Sequence, residues 1–94
     1  MDIFEVKLSK QAENRLKKIP SYIVFKLQAW ISGIKNYGLN EIRKQPGFHD
    51  EPLKGKRLGQ RSIRLNKAYR AIYVINKNRL VHFLEVIEVN KHDY

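Results

Sequence analysis

A chain of 94 residues with 43% hydrophobic content, four Phe, five Tyr and one Trp is long enough to bury one core and too short for two domains. It has no cysteine, which excludes disulfides, thiolate nucleophiles and cysteine-held zinc or iron–sulfur centres, and fits a reducing compartment. Nineteen Lys and Arg against nine Asp and Glu leave a net charge of +10, a density that opposes compaction unless a polyanion or an acidic partner offsets it.

The N-terminus carries Asp2 and Glu5 where a secretory signal would carry a basic run. No apolar stretch approaches the roughly 20 residues of a membrane span, so the expectation is a soluble, cytoplasmic protein without a membrane partner. Ile3 to Leu8, with Phe4, Val6 and Leu8 on one face, predicts a first strand. Ser9 then offers an N-cap to an amphipathic helix marked by Ala12, Leu16 and Ile19 and stopped by Pro20. Ser21 is the expected cap of a second helix, whose stripe Ile23, Val24, Leu27, Trp30, Ile31 and Ile34 follows the 3.6-residue period and reads as core; Gly38 ends it. Two such helices form a hairpin that needs a sheet to cover its apolar stripes.

From Leu39 to Gly59 the pattern breaks at Pro46, Gly47, Pro52, Gly55 and Gly59, predicting a long loop with one helical turn around Glu41 to Lys44. Loops of that length in a small domain tend to be functional or mobile. Three strands follow, Arg61 to Asn66, Tyr69 to Asn76 and Arg79 to Val89, joined tightly enough to make an antiparallel meander. In the middle strand Tyr69, Ala71, Tyr73 and Ile75 share one face, and Arg70, Ile72, Val74 and Asn76 the other. Both are largely apolar, so the pattern leaves open which one the helices cover. The expected architecture is a single α+β domain over residues 1–94, in the order β-α-α-β-β-β, an antiparallel twisted sheet with an N-terminal helical hairpin on one face.

The chemistry concentrates late in the chain. Between Pro52 and Arg70 stand seven cations (Lys54, Lys56, Arg57, Arg61, Arg64, Lys67 and Arg70) and no acid. Seven cations on one loop and two strands predict a continuous positive surface, for which phosphate backbones are the common biological ligand. Arg64 and Arg70 fall inside strand patterns, where a guanidinium is costly unless it lines a pocket or snorkels, and its planar fork suits a phosphate and the charge that builds at phosphorus during transfer. His92 lies just past the last predicted strand, beside Lys91 and near Tyr94, and a histidine there can shuttle protons. His49 in the loop and His82 in a strand read as bland. His82 and Glu85 do not share a strand face, so they offer no metal site. No phosphate-binding Gly-rich loop ending in Lys-Ser or Lys-Thr and no Ser-centred elbow is present.

Four stretches together carry a resemblance: Glu51-Pro52-Leu53-Lys54-Gly55, Leu58-Gly59-Gln60-Arg61-Ser62-Ile63-Arg64, Tyr69-Arg70-Ala71-Ile72-Tyr73 and Val89-Asn90-Lys91-His92-Asp93-Tyr94. Over nearly its whole length the chain resembles the RelE/ParE toxin superfamily, and most of all its RelE-, YoeB- and HigB-type branch, the toxins of bacterial type II toxin–antitoxin modules. The resemblance implies the fold derived above. It also implies a metal-independent, cofactor-free endoribonuclease that cuts mRNA in the ribosomal A site by attack of a 2′-hydroxyl on the adjacent phosphate, with a cognate antitoxin, rRNA and mRNA as partners and the toxin alone a monomer.

Carried over by position, Glu51 matches an acid used as base and Arg70 the strand arginine that binds the scissile phosphate. Lys54 and Lys56 match loop lysines that stabilise the phosphate, one of them a base in its branch. Arg61 or Arg64 would add charge, with Arg57, Lys67 and Lys91 toward RNA and ribosome. His92 and Tyr94 match the terminal acid and base-stacking residue; Asp93 separates them here, which leaves the acid open between His92, Tyr94 and neither. The alternatives are a ParE-type gyrase inhibitor and a non-catalytic RNA-binding module.

Overall fold

The structure is a computed structural model in which residues 2–77 and 82–91 are described. Strand β1 (Val6–Leu8) is followed by helices α1 (Lys10–Leu16), α2 (Ser21–Tyr37) and the single turn α3 (Leu39–Ile42), then by strands β2 (Glu51–Pro52), β3 (Arg61–Arg64), β4 (Tyr69–Lys77) and β5 (His82–Lys91). The α+β class and the helical hairpin on one face hold. The expected helical turn is α3, starting two residues earlier than predicted, and β2 lies inside the stretch read as loop. The predicted turn between the last two strands falls partly outside the described residues.

The local signals act as expected at two helix ends. Ser9 accepts a hydrogen bond from the Ala12 N–H at 3.0 Å and caps α1. Gly38 ends α2 at φ +88°, and its N–H donates to the Ile34 carbonyl at 2.8 Å. Ser21 does not cap α2: the cap position is Pro20, with no side-chain hydrogen bond, and its carbonyl accepts from the Ile23 and Val24 N–H groups. Proline's fixed φ with an extended ψ already sets the entry to the helix, which makes Ser21 the first helical residue. No helix among the described residues is long and apolar enough to cross a membrane.

The sheet runs β1-β5-β4-β3-β2. The last four strands are antiparallel, but β1 lies parallel to β5, pairing Val6 with Leu84 and Leu8 with Val86, so the sheet is mixed rather than wholly antiparallel. Because the helical hairpin intervenes between β1 and the meander, β1 can return alongside the final strand in the same direction. Ile23, Leu27, Trp30 and Ile34 of α2 pack with Ala12, Ile63, Ala71, Tyr73, Val86 and Val89 in one core. The question left open by the pattern is thereby decided: Ala71 and Tyr73 face the helices, while Arg70 and Ile72 face away. Trp30 and Tyr73 meet at 5.3 Å between ring centroids, a tilted pair at the centre of the core.

Candidate active site

Residues paired directly across an antiparallel ladder project from the same face. On the face away from the helices, the register therefore aligns Glu51 of β2, Ser62 of β3, Ile72 of β4 and Glu88 of β5 in one row. The next row aligns Arg64, Arg70 and Asn90. Strands about 4.8 Å apart and rows about 7 Å apart put the backbones of Glu51, Arg64 and Arg70 within roughly 12 Å, a reach these side chains span. A hollow of about 90 Å³ opens there, lined by His49, Glu51, Ser62, Arg64, Lys67 and Arg70 among others, large enough to admit several waters. Three cations and one carboxylate face it.

Arg70 is half-buried, and its Nε is buried with no hydrogen-bond partner among the described residues. An unmatched buried donor on a charged group is costly, and such groups in native folds call for an explanation. Arg64 is exposed on the same face. His49, read as bland from sequence, lines the hollow beside Glu51. Its backbone is left-handed, φ +51°, closing the turn Pro46–Phe48, a conformation rare outside glycine in which histidine is over-represented with Asn and Asp. The signal that could have found it is its spacing: His49 and Glu51 stand two apart, on either side of Asp50.

The seven cations do not make one continuous surface. Two are matched by acids from outside their window. Arg57 donates from Nη2 to both Glu88 carboxylate oxygens at 3.0 Å and from Nη1 to Gln60 Oε1 at 2.9 Å, drawing the Gly55–Arg57 turn toward β5. Arg61 lies on the helix-covered face, opposite Tyr73, and its Nε donates to Asp50 at 2.7 Å. Of the pair Arg61 and Arg64, only Arg64 shares a face with Arg70. Lys54 and Lys56 are exposed on the β2–β3 connection and do not line the hollow. Lys91 is exposed opposite Tyr69, on the other face from Arg70. His92 and Tyr94 lie outside the described residues.

Burial alone would raise the Glu88 pKa. Hydrogen bonds from Asn90 and Arg57, with the charges of Arg57 and Arg70, outweigh it and hold Glu88 below its ordinary value of 4.5. A depressed carboxylate stabilises the fold above its ordinary pKa, and that contribution disappears as pH falls through the lower folded value. Glu88→Gln should therefore flatten the acid limb of a stability-against-pH curve below about pH 4.5, leaving its slope near neutrality unchanged; urea melts across pH 2.5–7 measure this.

No family model and no curated protein matches this chain. Solved structures do. The YoeB/ParE toxin from Agrobacterium tumefaciens superposes with a TM-score of 0.69 at 21% identity, over 95% of this chain and 99% of that one. YafQ from Escherichia coli gives 0.72 at 17% identity over 94% and 92%, and YafQ in its toxin–antitoxin complex with DinJ gives 0.71 at 18% over 98% and 94%. The chain shares the fold of these YoeB/ParE and YafQ toxins.

Proposed function

We propose that this chain is the toxin of a type II toxin–antitoxin module and acts as a ribosome-dependent mRNA endoribonuclease in the cytoplasm. The observation that carries the reading is the open-face grouping of Glu51 with Arg64 and Arg70 on adjacent strands of a toxin fold. Glu51 takes the proton of a nucleotide 2′-hydroxyl; the oxygen attacks phosphorus, and the bond to the 5′-oxygen of the next nucleotide breaks. The products are a 2′,3′-cyclic phosphate and a 5′-hydroxyl. Arg70 and Arg64 stabilise the charge that gathers on the phosphoryl oxygens, a role that needs no metal. The 5′-oxygen needs a proton, for which His92 and Tyr94 are the proposed donors. The cationic loop of Lys54 and Lys56, with Lys67, faces rRNA and mRNA backbone. A cognate antitoxin with an acidic segment is the proposed neutralising partner, in line with the DinJ-bound form of YafQ. The free toxin is proposed to be a monomer.

The test is in-vitro translation with mapping of mRNA ends by primer extension, with and without ribosomes. Cuts that need ribosomes and fall at codon positions are the expected result. Glu51→Gln should slow single-turnover cleavage about 10²–10⁴-fold, the usual contribution of a general base. A full rate in Glu51→Gln with a collapsed rate in His49→Ala would move the base to His49. Intact mRNA together with loss of gyrase supercoiling would replace the reading with ParE-type inhibition; RNA binding with neither effect would leave a non-catalytic module.

A further inference from the structure

Asp50 directly precedes Glu51 in the chain but points away from the candidate site, toward Arg61 and Tyr73. Its side chain is 1% exposed, beneath the helix-covered face of the sheet. One carboxylate oxygen accepts from Arg61 Nε at 2.7 Å and the other from the Tyr73 hydroxyl at 2.6 Å, so both are engaged by β3 and β4. Burial first, and then the bond to Asp50, pushes the Tyr73 hydroxyl far above its ordinary pKa, so it stays a donor at any physiological pH. Tyr73 in turn is fully buried against Trp30.

The next residue, Glu51, begins the shortest strand of the sheet. β2 has two residues, both exposed, and beyond it the segment is tied to β3 by the Leu53 N–H to the Gln60 carbonyl at 2.9 Å. So short a ladder supplies little cohesion of its own. In extended chain successive side chains point to opposite faces. Fixing Asp50 below the sheet therefore forces Glu51 above it, beside Ser62 and toward Arg64 and Arg70.

We infer that Asp50, held by Arg61 and Tyr73, is a positioning residue that sets the register and facing of Glu51. The inference rests on the proposed function for its catalytic consequence, not for its structural one. Asp50 touches no substrate in this arrangement; it acts through Glu51 alone.

The experiment is a double-mutant cycle with Asp50→Ala and Glu51→Gln, read by single-turnover cleavage on programmed ribosomes, with amide exchange on the same proteins. Asp50→Ala should lower the rate about 10- to 100-fold, as a displacement on the order of 1 Å does, and should lower it no further once Glu51 is Gln. Asp50→Asn, which keeps two acceptor lone pairs toward Tyr73 or Arg61, should recover part of the rate. Equal losses in both backgrounds, or an unchanged rate in Asp50→Ala, would overturn the inference. Should Glu51→Gln itself cut at full rate, the functional reading of Glu51 fails and exchange decides the structural part. Loss of protection at the Leu53 amide in Asp50→Ala, with the β4–β5 amides still protected, supports the positioning role, and retained protection refutes it.

Discussion

Arg70→Ala should abolish most mRNA cleavage, about 10²–10³-fold in the single-turnover rate, while the protein still folds. The magnitude is that of removing one preorganised donor aimed at charge developing in a transition state. The fold should survive because Arg70 projects from the face away from the core, and its buried Nε has no partner among the described residues, so no hydrogen bond at that atom is lost. Arg70→Lys should recover only part of the rate, since an ammonium keeps the charge without the planar fork. Cleavage assays with thermal melts of the same preparations check both halves. A rate within about threefold of the parent chain would remove Arg70 from the mechanism.

The largest expected loss of stability comes from a glycine remote from the hollow. Gly38 sits at φ +88° and ψ 157°, a region essentially reserved for glycine, where any other residue costs about 1–3 kcal/mol. A Cβ there would lie 2.1 Å from Asp2 Oδ2 and 3.1 Å from Phe4 Cε1. The aspartate can swing away only by giving up the bonds its Oδ1 accepts from the Ile3 and Asn40 N–H groups, at 2.8 and 2.9 Å. These bonds hold the Asp2 pKa below its ordinary value and join the N-terminus to the start of α3. The backbone conformation alone should cost Gly38→Ala about 1–3 kcal/mol, lowering Tm by some 5–20 °C for a domain of this size, and displacing Asp2 adds to the loss. Asp2→Ala should cost less, and the loss in Gly38→Ala should shrink when Asp2 is already Ala, because the clash has gone. Thermal melts of the four proteins check this.

Similarity to the YoeB/ParE and YafQ structures at 17–21% identity shows how little sequence need be shared for one fold to persist. In this chain the features that build the fold are patterns more than particular residues. The stripe of α2, the Ser9 cap, the Gly38 stop and the alternation of β4 are near-neighbour properties. Each depends on residues one to four positions apart, so it could be read before any tertiary contact was known. In the sequence alone, Glu51 and Arg70 are joined only by the family resemblance, which leaves Arg61 and Arg64 as alternatives; Glu51, Arg64 and Arg70 lie 13 and 6 residues apart along the chain, and nothing local says that they share a face.

The chain's own sequence determined the α+β class, the order of the two long helices and of every strand but β2, the core stripe of α2 and the cationic character of the stretch after Pro52. Tertiary structure alone decided which face of β4 the helices cover, and with it that Arg61 turns inward to Asp50 while Arg64 and Arg70 turn outward. It also decided that Arg57 is matched by Glu88, 31 residues away, that β1 returns parallel to β5, and that His49 reaches the hollow. The physical reason is common to all of these. Periodicity records only the faces an element possesses, whereas the choice of face, the register and the partner of each charge depend on packing between residues far apart in the chain.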